Sequence, residues 1–312
     1  MPPKVSIQIP TYNQQQYITQ AIESALMQDY PNLEIVIADD CSTDDTESIV
    51  KKYNDSRIRY FKNETNIGRV PNYRKALYEY CTGEWVVNLD GDDYYTNPGF
   101  ISRGMSLIEE FRAKGETIVF YQGLHIINDT SMGKELPREH TILRGGEKFR
   151  LVDNYYLDIY RKNKFFSHLT TLYNRDVATR IGFYEYDTLT IDFESIAKLS
   201  FYGKAILDNT LAGVWRVHDG NATHKTRTAF KVNGELQLKR LEGYAKDAYG
   251  KDFEPHWKRK IRKENNILYL ELLAENGFFW DLVKKIFVYR EPYYRTPVML
   301  VKSVLQNLRK KR

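Results

Sequence analysis

The chain has 312 residues, 42% of them hydrophobic and 28% charged, which suits a soluble globular protein with one large core or two. Two cysteines, Cys41 and Cys81, exclude a disulfide framework or a cysteine metal array, and no run of about 20 apolar residues is present to span a bilayer. The net charge of +5 belongs to the tail, because residues 284–312 hold nine Lys/Arg against Glu291 and leave −3 for the rest, so no nucleic-acid partner is expected.

Val5 to Ile9 alternates apolar and polar and predicts a strand, stopped by Pro10. A helix follows, with Ile18, Ala21, Ile22, Ala25 and Leu26 on one face. Leu33 to Ala38 is the second strand and ends in Asp39-Asp40. Ser42 or Thr43 is expected to cap the next helix, which runs to about Tyr53. Ile58 to Phe61 is a third strand, and Asn66-Ile67-Gly68 turns into a helix containing Ala76, Leu77 and Tyr80. Trp85 to Leu89 is a short apolar run that reads as a buried strand. Beyond it come a helix through Ile101, Met105, Ile108 and Phe111, and a strand over Thr117 to Tyr121. Residues 122–146 read as a polar excursion. Phe165 to Tyr173 predicts a strand, Ile191 to Phe201 a helix and Leu211 to His218 an extended segment. From Phe230 the pattern is helical, so a boundary falls near residue 225. Alternating strands and helices imply an α/β fold with a mostly parallel central sheet flanked by helices.

The run Asp90-Gly91-Asp92-Asp93 places three carboxylates within four residues at the end of the Trp85 strand. Such charges repel unless a cation sits among them. Open α/β sheets bind ligands at the carboxyl ends of their strands, where Pro10-Thr11-Tyr12, Asp39-Asp40 and this run would converge. The expected occupant is a divalent cation with a phosphorylated ligand; the alternative is a solvated acidic turn. Gly91 lets the backbone approach something closely or take a positive φ. The first glycine of the chain is Gly68, which argues against a dinucleotide fingerprint, a P-loop and the glycine-rich loop of sugar nucleotidyltransferases.

Four ordered motifs carry a resemblance. Val5-Ser6-Ile7-Gln8-Ile9-Pro10-Thr11-Tyr12-Asn13, Ile35-Val36-Ile37-Ala38-Asp39-Asp40-Cys41-Ser42-Thr43-Asp44, Asn66-Ile67-Gly68-Arg69-Val70-Pro71-Asn72 and Leu89-Asp90-Gly91-Asp92-Asp93 resemble the family-two, GT-A glycosyltransferases over about residues 4–220. That family usually has Gly at the position of Cys41. The resemblance implies a GT-A fold with a Rossmann-like donor-binding half at 1–98, an acceptor-binding half at 99–225 and a helical, basic extension at 226–312. It implies inverting transfer from a nucleoside-diphosphate sugar to a glycan or lipid-linked acceptor in surface polysaccharide assembly, with UDP favoured and dTDP open.

By the same resemblance Pro10, Thr11 and Tyr12 line the base and ribose pocket. Asp40 accepts from the pyrimidine N3–H, Asp39 buttresses it, and Arg69 and Asn72 belong to the donor site. Asp90 holds the ribose, and Asp92 ligates Mg²⁺ or Mn²⁺, with Asp93 a competing choice. Trp215-Arg216-Val217-His218 resembles the family's closing segment, so His218 would complete the metal shell or bind diphosphate and Arg216 would pair with phosphate. The family's Glu-Asp pair before a Gly-Lys is half present, since Ile191-Asp192 precedes Gly203-Lys204. Asp192 is thus the expected base, with Glu194 and Asp187 as alternates. His168 either faces the acceptor or is a satisfied core histidine. Trp215 and tyrosines 155, 156, 184 and 186 either stack on sugar or pack.

In the tail, Phe279, Leu282, Val283 and Ile286 form one helical stripe and Val301, Val304, Leu305 and Leu308 another, before Arg309-Lys310-Lys311-Arg312. Residues 278–312 would either meet an anionic membrane surface or dock on the catalytic domain. Met1-Pro2-Pro3-Lys4 leads straight into a strand without a leader pattern. The expected location is therefore cytoplasmic, peripheral on the inner face of the cytoplasmic membrane. A non-catalytic nucleotide-sugar- or glycan-binding protein, or a sugar nucleotidyltransferase, is the alternative.

Overall fold

A computed structural model describes residues 1–129, 134–137, 143, 146–153, 167–188, 191–218, 221 and 227–250. Tyr155, Tyr156, Phe165 and the two stripes of the tail lie outside the described residues. The chain divides into two units, Met1–Asn221 and Ala222–Arg312.

The first unit is built on one sheet. β1 (Val5–Thr11) is fully buried and pairs in parallel with β2 (Leu33–Asp39), connected by α1 (Ile18–Leu26). A strand covered on both faces reads as a near-continuous apolar run, and Leu33 to Ala38 does so. α2 (Thr46–Val50) leads to β3 (Ile58–Lys62), which pairs in parallel with β2. α3 (Arg69–Lys75) continues as a π-helical turn over Ala76–Tyr80 into β4 (Trp85–Asn88), parallel to β1 on its other side. The order β3-β2-β1-β4 puts four parallel carboxyl ends on one edge.

The remaining strands extend the sheet with mixed directions. β5 (Tyr94–Tyr95) and α4 (Phe100–Ala113) follow the carboxylate run. β6 (Ile118–Asp129) pairs with β7 (Lys134–Pro137), β8 (Phe149–Val152) comes next, and β9 (Thr171–Asn174) lies antiparallel between β4 and β6. α5 (Arg175–Arg180) and α6 (Ile191–Leu199) precede β10 (Lys204–Val217), which runs parallel to β6 and antiparallel to β5 and β8. In the second unit α7 spans Arg227–Tyr249.

Several expectations need correction. Residues 122–129 are strand, not polar excursion: β6 continues because Gln122 and His125 bury their polar groups beside β9 and β10. The strand expected from Phe165 begins only at Thr171, after a 3-10 turn over His168–Thr170. The extended segment expected at Leu211 begins at Lys204, with register shifts near Leu207 and Leu211 that interrupt its alternation. Ser42 and Thr43 are not caps: α2 starts at Thr46, while the Ser42 hydroxyl accepts from the Asn13 N–H at 2.9 Å.

Candidate active site

The site is built on the edge where β1, β2 and β4 end. Asp40 N–H donates to the Thr11 carbonyl at 2.9 Å and Gly91 N–H to the Pro10 carbonyl at 3.3 Å, so the three strand ends are tied together. The Thr11 side chain is buried, whereas Tyr12 is 46% exposed. Gly91 is a close approach rather than a positive-φ residue: a Cβ there would lie 2.6 Å from Gln14 Oε1 and 2.9 Å from Thr11 Oγ1. Cys41 takes φ +64°, a conformation that glycine adopts at no steric cost.

Asp39 and Asp40 are neighbours on β2 and its turn with opposite orientations. Asp39 is buried and accepts from Ser42 N–H at 2.8 Å and the Tyr60 hydroxyl at 2.6 Å. Its carboxylate is consumed in fixing the turn that carries Asp40. Asp40 Oδ1 accepts from Asn63 Nδ2 at 3.0 Å and Ile67 N–H at 2.9 Å, and Oδ2 from Gly68 N–H at 2.8 Å. Asn72 supports this set by accepting from Asn63 Nδ2 at 3.1 Å and donating to the Ala38 carbonyl at 2.8 Å. Asn63 also accepts from Lys75 Nζ at 2.9 Å, so its amide orientation is defined.

The carboxylates of Asp90, Asp92 and Asp93 can bring ligand oxygens within 4.8 Å of one another. Asp90 Oδ1 accepts from the Tyr73 hydroxyl and Asn88 Nδ2, both at 2.8 Å, and His168 Nε2 lies 3.2 Å from Oδ2. Burial pushes the Asp90 carboxyl up, but His168, Tyr73 and Asn88 outweigh it and hold the group at about 2. Burial likewise opposes charge on His168, yet Asp90 raises it above the usual imidazole range.

Asp92 Oδ2 lies 3.0 Å from His218 Nε2 and accepts from Asn221 Nδ2 at 3.2 Å. Burial, and then the charge of Asp90, raise the Asp92 carboxyl despite His218. Asp93 is raised further by burial and by Asp92 and Asp90, although its Oδ1 accepts from Arg216 N–H at 2.8 Å. Two buried carboxylates whose charge is opposed by their surroundings are a ready site for a cation. Hard oxygen donors with one imidazole suit Mg²⁺ or Mn²⁺, so the residues fit such an ion.

Arg216 departs from expectation. Its guanidinium donates to the Asp92 carbonyl and to Gln20 Oε1, and it lies 4.8 Å and 5.0 Å from the ring centres of Tyr17 and Tyr94. It clamps the carboxylate turn to α1 rather than offering itself to phosphate.

Asp192 stands in the first turn of α6 and is half-buried. Its charge favours the protonated forms of Arg69, His168 and Tyr184. Arg69 donates to the Thr188 carbonyl at 3.0 Å, joining α3 to the segment before α6. Burial disfavours its charge, but Tyr73, Asp192 and Asp90 outweigh this and raise it. Of the alternates for the base, Glu194 is buried at 2% exposure and Asp187 is on the surface. Ile191, at the position of the missing Glu, is buried at 1% exposure. Sequence reasoning missed Asn63, Tyr73 and Asn88 and gave Asn221 no role. Tyr73, next to Asn72 in a recognised motif, was the one with a local signal.

The family model for glycosyl transferase family 2 matches residues 6–182, and the chain belongs to that family. The poly(ribitol-phosphate) β-N-acetylglucosaminyltransferase TarS of Staphylococcus aureus is 42% identical over 94 residues, covering 29% of this chain and 16% of TarS. The GalNAc(5)-diNAcBac-PP-undecaprenol β-1,3-glucosyltransferase of Campylobacter jejuni is 43% identical over 94 residues, 29% of this chain and 30% of its own. The matched segment thus spans less than a third of either relative. The structure of TarS 1–349 in complex with UDP-GlcNAc superposes with a TM-score of 0.61 at 20% identity, over 88% of this chain and 80% of that one. The mannosyltransferase PcManGT of Pyrobaculum calidifontis, in complex with GDP-Man and Mn²⁺, gives 0.56 at 18% identity, over 100% and 89%. The fold is that of the GT-A glycosyltransferases.

Proposed function

We propose that the protein is a metal-dependent, inverting glycosyltransferase that moves a sugar from a UDP-sugar to a hydroxyl of a glycan or lipid-linked acceptor during surface polysaccharide assembly. The observation that carries this is the convergence of Asp40, Asp90 and the Asp92–His218 pair on one sheet edge. Residues 1–98 supply the donor half, 99–225 the acceptor half, and 226–312 a basic extension that reaches the inner face of the cytoplasmic membrane. The relatives act in cell-surface polysaccharide biosynthesis, and the TarS complex holds UDP-GlcNAc.

The contacts of Asp40 support a pyrimidine imide over guanine. A carboxylate offers about four lone-pair sites. Three are filled by Asn63, Ile67 and Gly68, so one remains for a single imide N–H. Guanine presents two adjacent N–H groups and would leave one unpaired, at a cost of about 1–3 kcal/mol. Thymine offers the same single N–H, so dTDP-sugars share this feature.

Pro10, Thr11 and Tyr12 wall the nucleoside, Asp90 accepts from the ribose, and Arg69 and Asn72 complete the donor side. Asp92 and His218 hold Mg²⁺ or Mn²⁺, which supplies Lewis-acid stabilisation of the leaving diphosphate. Asp192 takes the proton of the acceptor hydroxyl as that oxygen attacks the anomeric carbon and the bond to diphosphate breaks with inversion. A thermal-shift screen of nucleotide sugars with Mn²⁺ identifies the donor by its stabilisation of the folded chain. Slow metal-dependent UDP release is expected for the wild type and is abolished in Asp92→Ala. Asp192→Asn keeps donor binding and loses transfer by about 10²–10⁴-fold. Full transfer by Asp192→Asn refutes the base. Binding without any UDP release or transfer, as the buried Ile191 in place of a Glu would permit, favours a non-catalytic protein.

A further inference from the structure

His168 has no part in this scheme, yet it is only 8% exposed and touches a site carboxylate. Among the described residues, its buried Nδ1 has no hydrogen-bond partner. Such a group costs free energy relative to an apolar side chain of similar size, so packing alone does not account for it. Its other nitrogen, Nε2, lies 3.2 Å from Asp90 Oδ2 and 3.3 Å from Asn88 Nδ2; toward the carboxylate, which accepts when ionised, it acts as the donor. Tyr73 packs edge-on to the imidazole at 5.6 Å between ring centres.

The other Asp90 oxygen is fixed from within the sheet. Asn88 Oδ1 accepts from Gln8 Nε2 at 2.8 Å, and the two residues are register partners on β4 and β1. The Asn88 amide is therefore oriented, with its Nδ2 on Asp90 Oδ1 beside the Tyr73 hydroxyl. Gln8 and Asn88 are both fully buried, so this support is rigid. The Oδ1 side has two donors and the Oδ2 side the imidazole. Among the described residues, His168 alone meets Oδ2, so without it the carboxylate is tethered on one oxygen and can turn about it.

We infer that His168 is a positioning residue that holds Asp90 Oδ2 so that its remaining lone pair meets a ribose hydroxyl of the donor, making the site a reader of the ribose. The inference rests on the proposed nucleotide-sugar site. It concerns binding, so it is tested without an acceptor or a known sugar.

The experiment measures the affinity of the full chain for UDP, 2′-deoxy-UDP and 3′-deoxy-UDP with Mn²⁺ by calorimetry. The wild type is expected to lose about tenfold on removal of one hydroxyl. His168→Leu and His168→Met, which keep volume but lack a donor, are expected to bind UDP and that deoxy analogue within about twofold of each other. His168→Gln, which retains an N–H, is expected to restore most of the penalty. A general packing defect would weaken all three ligands alike and leave the hydroxyl penalty at tenfold, which would overturn the inference while leaving the nucleotide site standing. No UDP binding by the folded wild type would remove the functional reading and this inference together. Failure of both apolar variants to fold would assign the imidazole to stability and also overturn the inference.

Discussion

Glu34 lies at the end of the sheet remote from the site and is its most heavily bonded acid. It is 3% exposed and accepts from Ser6 Oγ at 2.5 Å, Thr82 N–H at 2.6 Å and Arg59 at 3.1 Å, with Lys4 Nζ at 2.8 Å. Burial alone would raise its carboxyl, but Lys4, Ser6 and Thr82 hold it at about 2. A depressed carboxyl contributes stability that is complete above the unfolded value near 4.5 and is lost as pH falls toward about 2. The contribution is on the order of 3 kcal/mol. Urea denaturation at pH 7, 4 and 3 should show Glu34→Gln less stable at pH 7 and losing less on acidification than the wild type. Parallel losses would contradict this account. Nothing in the sequence marked Glu34, because an acid within an apolar strand is explained by partners, Ser6, Arg59, Lys4 and Thr82, that are distant in the chain. Asp39, Asp40 and the carboxylate triplet were legible because strand-end acids form a local pattern.

At the scale of elements, the carboxylate turn is shaped by a two-residue strand pair. Gly213 and Val214 of β10 face Tyr95 and Tyr94 of β5. A Cβ on Gly213 would lie 2.4 Å from the Tyr94 carbonyl oxygen and 3.0 Å from the Tyr95 Cα, both backbone atoms that cannot move aside. Gly213→Ala should therefore cost about 1–3 kcal/mol and part β5 from β10. Because Arg216 N–H and Asp93 sit just beyond that pair, Mn²⁺ affinity should fall as well; an unchanged melt and Mn²⁺ titration would count against the close fit. The parallel strands were legible because each is a short apolar run between turn residues. β9 was read as the end of a longer strand from Phe165, since four residues carry no usable periodicity and its place between β4 and β6 is set by pairing. β6 and β10 were read too short because Gln122, His125 and the register shifts break their patterns.

On the scale of the whole molecule, the uneven charge makes a prediction of its own. The basic residues 284–312 should give salt-sensitive binding to anionic vesicles, roughly 1 kcal/mol for each Lys or Arg near the surface. Flotation with and without residues 290–312 checks it, and equal recovery of both chains would remove the membrane role. The first unit carries another constraint, from the bonds that close the carboxylate turn. Asp93 and Asp92 are joined to Arg216, His218 and Asn221, which follow them by 123, 126 and 129 residues respectively. At about 5–20 residues per second, a ribosome needs roughly 6–25 s to make that intervening chain. For that interval a nascent chain carries its acids without the groups that hold them. Competence to bind donor should therefore arise late in synthesis, once the chain through Asn221 has left the ribosome, rather than growing strand by strand.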